Sequence, residues 1–118
     1  MPKRIIVVDD DEDTLQIISY VLIEAGYEII PANDIVSFNR IGDLHADLIL
    51  LDDWLTDGYG SQLCLQLKND PKTCHIPVIL FSANDNIEQN ALACRADDFI
   101  AKPFDLDTIV AKLRFWTK

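Results

Sequence analysis

The sequence predicts an α/β fold, a doubly wound parallel sheet with helices on both of its faces. Short apolar runs alternate with longer segments in which apolar residues recur at helical spacing, and this alternation is typical of repeated βα units. The most apolar runs are rich in β-branched residues and lack a polar face, as expected for strands covered on both sides. With 118 residues, 49% of them hydrophobic, the chain is expected to form one domain over residues 1–118.

Five runs are the candidate strands. They cover residues 5–8, 28–30, 48–51, 78–81 and 99–101. Those that are apolar on both faces suit the centre of a sheet, so the middle strands are expected to be the most buried.

Three helices follow from clear apolar stripes. The first has Leu15, Ile18, Leu22 and Ala25 on one face and a C-terminal stop at Gly26. The third has the stripe Leu63, Cys64 and Leu67 and ends before Pro71. The fifth begins after a capping Asp105 and has the stripe Leu106, Ile109, Val110 and Leu113.

Two further helices rest on shorter patterns. The second has Ile35, Phe38 and Ile41 and ends near Gly42, and the fourth has Ile87, Ala91 and Leu92. The chain contains neither an internal repeat nor a low-complexity tract.

Charge and cysteine content limit the function classes. The net charge of −10 would repel a phosphate backbone, which disfavours direct binding to nucleic acid or to an anionic membrane. Cys64, Cys74 and Cys94 are odd in number and lack metal-ligand spacing, which favours reduced thiols. No apolar run approaches the length of a signal-peptide core or a membrane span, so we expect a cytoplasmic protein.

Polar residues follow four of the five strands. Asp9 and Asp10 follow the first strand, Asp52 the third, Ser82 the fourth and Lys102 the fifth. In an open parallel sheet, functional groups collect beyond the carboxyl ends of the strands. Two bare carboxylates about 4 Å apart repel each other by roughly 4 kcal/mol at an effective dielectric constant of about 20, so such a cluster requires a cation or bound protons.

Four segments, in order along the chain, carry a family resemblance. The segments IIVVDDD, DLILLDDWLTDGYG, IPVILFSA and DDFIAKPFD make the chain, from residue 3 to about 116, similar to the receiver domain of two-component response regulators, including the single-domain regulators of the chemotaxis type. The resemblance implies the flavodoxin-like strand order 2-1-3-4-5 with five helices. It also implies a signalling domain that catalyses only its own phosphorylation and dephosphorylation, and not a metabolic enzyme.

The resemblance assigns roles to the strand-end residues. Asp52 is implied as the phosphoacceptor, which takes a phosphoryl group from the phosphohistidine of a histidine kinase or phosphotransfer protein. Asp10, Asp52 and the backbone carbonyl of Trp54 are implied ligands of Mg²⁺, with Asp9 acting mainly through a metal-bound water. Residues 9–11 also have an alternative interpretation without metal binding, as a solvated acidic turn at the start of the first helix. For Asp11 we expect only this structural role.

The remaining implied roles concern the switch. Ser82 and Lys102 would contact phosphoryl oxygens, and the family has a cis peptide bond before Pro103. Phe99 occupies the aromatic position coupled to the Ser82 hydroxyl, although an apolar strand residue is more often plain core. The output face, formed by helix 4, strand 5 and helix 5, would contact a downstream effector, and a homodimer is possible.

Three positions depart from the family pattern. Thr56 replaces the usual proline, which leaves the loop after Asp52 less certain in geometry. Arg95 replaces the usual glycine, which puts the turn before the last strand in doubt. The side chain of Asp53 is expected to face away from the site, because side chains alternate along a strand.

Three other functions stay open at this point. A receiver-like interaction module would work without phosphorylation, but all five site residues are present. A haloacid-dehalogenase-type phosphatase would need a second aspartate where Trp54 stands. A flavin carrier of the same architecture would need a phosphate-binding first loop, and the acidic loop there repels phosphate.

A few other residues are predicted to lie at the surface. His45 and His75 are interpreted as ordinary surface residues, not as phosphohistidine carriers. Leu65 and the pair Phe115 and Trp116 are candidate exposed apolar positions.

Overall fold

A computed structural model describes residues 2–42 and 45–118. Its main sheet has five parallel strands, and only these strands are numbered below. They are β1 Arg4–Val8, β2 Glu28–Ala32, β3 Leu48–Asp52, β4 Val78–Ser82 and β5 Asp98–Ala101. Their spatial order is β2-β1-β3-β4-β5, so the predicted strand order is confirmed.

Five helices pack on the two faces of the sheet. They are α1 Glu12–Glu24, α2 Ile35–Asn39, α3 Gly60–Asn69, α4 Ile87–Ala93 and α5 Leu106–Trp116. Helices α1 and α5 cover one face, and α2, α3 and α4 cover the other. The doubly wound architecture with five helices is therefore confirmed.

Alternating residues of the central strands contribute to two separate cores. Ile6 and Val8 of β1 lie in the core under α2, α3 and α4, whereas Ile5 and Val7 lie in the core under α1 and α5. All five residues of β3 and all five of β4 are buried, whereas β2 has one buried residue. The expected burial of the middle strands is confirmed, and it follows from the period of two along a strand.

The helix ends follow the predicted signals closely. The Asp11 carboxylate accepts a hydrogen bond from the Asp13 amide at the start of α1, and Asp105 caps α5 in the same way. Gly26, just after α1, has φ +98°. Helix α2 ends at Asn39, slightly before the predicted stop at Gly42.

Two details differ from the sequence pattern. Leu92 is 75% exposed, so its assignment to the apolar face of α4 was wrong; the buried residues of that helix are Ile87 and Ala91. Arg95 takes a φ of 63°, the left-handed conformation that a glycine would supply, and its guanidinium donates to the Asn69 side chain at 2.6 Å. The turn before β5 thus forms without glycine.

Across residues 2–42 and 45–118, we find no helix with both the length and the apolar character that crossing a membrane requires.

Gly60 begins α3 in direct contact with the chain at Asp52. A Cβ atom at this position would overlap the backbone carbonyl of Asp52. Replacing a helical glycine by alanine ordinarily stabilises a protein, by roughly 0.5–1 kcal/mol. For Gly60→Ala we expect the opposite, a loss of about 1–3 kcal/mol in the free energy of unfolding, because the clash is with backbone. Urea unfolding measures it, and Gln62→Ala, at an exposed position of the same helix, should change stability by less than about 0.5 kcal/mol.

Candidate functional site

Three carboxylates meet at the carboxyl edge of the sheet. One oxygen each from Asp9, Asp10 and Asp52 lie within 4.8 Å of one another, a spacing that could accommodate a metal ion. Asp9 is fully buried and Asp52 nearly so, whereas Asp10 is exposed. The parallel pairing of β1 with β3 brings the first two residues to Asp52, because Val8 pairs with Leu51.

The Lys102 ammonium lies between the two buried carboxylates. Its Nζ is 3.4 Å from Oδ2 of Asp9 and 3.5 Å from Oδ2 of Asp52. It also lies 4.7 Å from the centroid of the Phe81 ring. The peptide bond between Lys102 and Pro103 is cis, as the resemblance implied. One ammonium therefore partly offsets the negative charge of this cluster.

The Asp52 carboxyl is shifted toward its protonated form. Burial, followed by the negative charge of Asp9, raises its pKa from the usual 3.8 to about 7. The Lys102 ammonium and a hydrogen bond from the Trp54 amide, at 3.3 Å, lower the pKa and only partly oppose this rise. The ionised carboxylate thus has a free-energy cost near neutral pH, which a cation would remove.

The site opens into a cavity of about 650 Å³. The cavity is lined by Asp9, Asp10, Asp11, Asp52, Trp54, Ser82, Ala83, Asn84 and Lys102. Ser82, the last residue of β4, accepts a hydrogen bond from the Asn84 amide at 3.1 Å. The hydroxyl proton of Ser82 is not used in that bond and can be donated to a ligand.

The loop after Asp52 forms a short hairpin that sequence reasoning did not predict. Two-residue strands, Trp54–Leu55 and Gly58–Tyr59, pair antiparallel. The Asp57 carboxylate accepts hydrogen bonds from the amides of Ile35 at 2.9 Å and Val36 at 3.0 Å, so it fastens the hairpin to the start of α2. The signal for this anchor was the aspartate-glycine pair at 57 and 58, which is common in turns.

Asp53 faces away from the cavity, as strand alternation predicted. Its carboxylate accepts hydrogen bonds from the Ser61 amide at 2.9 Å and from the Asn90 side chain at 3.3 Å. Asp53 thus connects the chain after β3 to α3 and α4.

Phe99 is half-buried on β5 and does not line the cavity. The Lys112 ammonium lies 5.4 Å from the centroid of its ring and donates to the Phe99 carbonyl at 2.9 Å. The same ammonium pairs with Asp98 at 2.8 Å. The implied switch residue therefore sits next to α5, in the outer part of the sheet.

The other surface predictions have mixed outcomes. His45 and His75 are exposed, as predicted, and neither lines the acidic cavity; Leu65 is 40% exposed. Of the aromatic pair, Phe115 is exposed, but Trp116 is half-buried and its indole donates to Asp98 at 3.0 Å. All three cysteines are free, with Cys64 and Cys94 buried and Cys74 exposed.

Comparison with known families identifies the class of protein. Residues 5–114 match the family model described as response regulator receiver domain. The chain therefore belongs to the receiver domain family of two-component response regulators.

The relatives are longer proteins. The chain is 35% identical over 117 residues to the phosphate regulon transcriptional regulatory protein PhoB of Escherichia coli (strain K12); the match covers 97% of this chain and 51% of that protein. It is 36% identical over 122 residues to the response regulator PleD of Caulobacter vibrioides, where the match covers 27% of the relative. The chain spans about half or less of the length of these two relatives.

A solved structure shares the whole architecture. A two-component response regulator from Clostridium difficile superposes with a TM-score of 0.86 at 30% sequence identity, covering 97% of this chain and 94% of that one.

The pKa of Asp52 predicts a pH-dependent effect on stability. Because its pKa is higher in the folded protein than in the unfolded chain, stability falls as pH rises from about 4 to about 7. Asp52→Asn removes this penalty. Without divalent cations, we expect the variant to be more stable than wild type at pH 8 by on the order of 1–2 kcal/mol, with the gain vanishing near pH 4.

Urea unfolding at the two pH values tests this expectation. Asp53→Asn is the control. The Asp53 carboxylate accepts hydrogen bonds from the Ser61 amide and the Asn90 side chain, so this substitution weakens both bonds and should destabilise the protein at pH 8. An Asp52→Asn protein less stable than wild type at pH 8 would contradict the assigned cause.

The anchoring role of Asp57 is also testable. Asp57→Ala leaves two amides at the start of α2 without their carboxylate partner, so we expect a loss of about 1–2 kcal/mol in the free energy of unfolding. Thermal or urea unfolding measures it. Asp85→Ala, an exposed aspartate in another loop, should change stability little, and an equal loss in both variants would argue against the anchor.

Proposed function

We propose that this chain is a phosphoacceptor switch of a two-component phosphorelay. Asp52 would take a phosphoryl group from the phosphohistidine of a histidine kinase or phosphotransfer protein, in a reaction that requires Mg²⁺. The domain would then hydrolyse the product slowly. It would catalyse only these two reactions on itself and act by binding partners.

The observation that carries the proposal is the convergence of chemically distinct groups on one oxygen-rich cavity. Three carboxylates, the Lys102 ammonium and the Ser82 hydroxyl arrive from the ends of four different elements of the chain. A structural role for Asp52, such as a turn cap, requires none of the others. A phosphoryl group bound to Asp52 would use all of them, since its oxygens need positive charge and hydrogen-bond donors.

The donor set fits Mg²⁺. This ion prefers hard oxygen ligands and retains several waters, which an open cavity bearing exposed and buried carboxylates allows. We propose Asp10, Asp52 and the backbone carbonyl of Trp54 as ligands, with Asp9 acting through a bound water. When bound, Mg²⁺ supplies positive charge that neutralises both the acceptor and the incoming phosphoryl oxygens.

Asp52, Lys102 and Ser82 would each have a separate role in phosphoryl transfer. Asp52, in its ionised form, attacks phosphorus with one carboxylate oxygen, and the bond to the donor nitrogen breaks. Lys102, now 3.5 Å from Asp52, would shift its ion pair to a phosphoryl oxygen, and Ser82 would donate its hydroxyl proton to another. Both side chains would then report whether the phosphoryl group is present.

Phosphorylation at Asp52 would change the packing at β5, the edge strand of the sheet. Ser82 pairs with Ala101 in the register of β4 and β5, two residues beyond Phe99. A shift of the hydroxyl would change the packing of Phe99, and with it the face formed by α4, β5 and α5. We propose this face as the contact surface for a downstream effector protein or domain, or for a second copy of the chain. We propose no direct binding of this domain to nucleic acid or to a membrane.

Phosphorylation at Asp52 is directly measurable. Incubation with a small phosphodonor and Mg²⁺ should add one phosphoryl group to the wild-type protein by intact-mass spectrometry, and none to Asp52→Asn. Chelating Mg²⁺ should reduce the wild-type rate by at least roughly tenfold, because the repulsion in the site returns. Asp85→Asn, at an exposed loop position, should be labelled like wild type.

Equal labelling of wild type and Asp52→Asn, or labelling indifferent to Mg²⁺, would favour the interaction module that works without phosphorylation. Beryllofluoride, which mimics a phosphoryl group, gives a second readout. Its binding should change the chemical shifts of α4, β5 and α5 in the wild-type protein, and unchanged shifts there would contradict the proposed contact surface.

A further inference from the structure

Two buried cysteines from different helices meet in the core under α2, α3 and α4. Cys64 lies in α3, and Cys94 directly follows α4. Both belong to the same apolar cluster, and they are 0% and 3% exposed. The Cys64 thiol donates a hydrogen bond to the Cys94 carbonyl at 3.4 Å, so the side chain of one residue contacts the other across the helix pair. The chemistry proposed above uses neither thiol.

The two thiols differ in acid strength because they hydrogen bond to each other. The bond with Cys64, helped by one from the backbone of Ala96, lowers the pKa of the Cys94 thiol to about 7 and outweighs the opposing effects of burial and of Asp53. The bond with Cys94, together with burial, raises the pKa of the Cys64 thiol well above its usual range. Cys94 therefore ionises first, and the thiolate is the form of cysteine that attacks an oxidant.

A small cavity connects Cys94 to the surface. It has a volume of about 190 Å³, lies between α3 and α4, and is lined by Ser61, Gln62, Leu65, Asn90, Ala93 and Cys94. Gln62, Leu65 and Ala93 are exposed, so the cavity opens to solvent at its rim. A molecule as small as hydrogen peroxide thus has a path to Cys94, whereas Cys64 does not line the cavity.

We propose that Cys64 and Cys94 form a modification site for peroxides, which convert the pair into a reversible intramolecular disulfide. The bond would join α3 to the C-terminal end of α4 and close a covalent loop over residues 64–94. Oxidation would thus restrain α4 relative to α3, and reduction would release it. In a reducing compartment a disulfide of this kind is transient and acts as a redox sensor. The inference does not depend on phosphorylation at Asp52.

The reaction has two balanced steps. The Cys94 thiolate attacks one peroxide oxygen and the oxygen–oxygen bond breaks, which leaves a sulfenic acid on Cys94 and releases hydroxide. The Cys64 sulfur then attacks the Cys94 sulfur, the sulfur–oxygen bond breaks, and the departing hydroxide takes the Cys64 proton and leaves as water. Each sulfur gives up one electron, and the two electrons reduce the peroxide.

The Cys74→Ser protein isolates the pair, because Cys74 is the third cysteine and is exposed. Hydrogen peroxide should lower the intact mass of this protein by about 2 Da, the two hydrogen atoms lost in a disulfide, and dithiothreitol should restore it. After tryptic digestion without reduction, peptides 41–68 and 73–95 should be cross-linked, since Cys64 lies in the first and Cys94 in the second. In the wild-type protein, oxidation of Cys74 shows that the peroxide dose is effective.

Two further substitutions in the Cys74→Ser background separate the roles of the thiols. With Cys64→Ala, the sulfenic acid on Cys94 has no thiol partner and should be trapped by dimedone. With Cys94→Ala, the Cys64 thiol should react with peroxide at least roughly tenfold more slowly than the pair does, because it stays protonated and buried. If an alanine variant unfolds, as judged by circular dichroism, the cross-linked peptides of the Cys74→Ser protein decide alone.

Three outcomes would overturn the inference. The first is a Cys74→Ser protein whose two thiols stay reduced at a peroxide dose that oxidises Cys74 in wild type, which would leave both cysteines as plain core residues. The second is oxidation of Cys94 to a sulfinic acid without a cross-link. The third is a disulfide that joins two copies of the chain, seen as a dimer on a non-reducing gel.

Discussion

The candidate site depends on the confinement of like charges at one edge of a parallel sheet. Two carboxylates from neighbouring strands, Asp9 and Asp52, are buried there with one ammonium between them. Burial and the negative charge of Asp9, only partly offset by the Lys102 ammonium, raise the pKa of the Asp52 carboxyl to about 7. A folded protein retains such an unfavourable group only when the rest of the fold is stable enough to hold it. Here the two apolar cores on either side of the sheet supply that stability.

The same confinement would make the site responsive to a ligand. Because the charges are held by backbone elements, they cannot separate to relieve their repulsion, and a bound cation or phosphoryl group would change the electrostatic balance strongly. The elements around the site are linked to it by hydrogen bonds. Asp53 contacts α3 and α4, and Asp57 contacts α2, each through its carboxylate. These two aspartates therefore link the segment that follows Asp52 to three helices.

Most of the fold was predictable because it depends on local patterns. Each strand was placed within two residues of its observed ends, and the stops at Gly26 and the cap at Asp105 follow from residues in the same turn. Leu92 was misplaced because helical spacing alone does not say how wide the buried face of a short helix is. The hairpin at 54–59 was missed because two-residue strands have too few residues to show a period.

By itself, the sequence determined which chemical groups follow the strands and the order in which they occur. This was possible because strands and turns are recognised from residues that are neighbours in the chain. Only the tertiary structure decided how these groups interact. Asp9, Asp52 and Lys102 are up to 93 positions apart, yet burial of Asp52 and the nearby charges of the other two residues together set its pKa. Burial and charge proximity depend on residues distant in the chain, which no local pattern encodes.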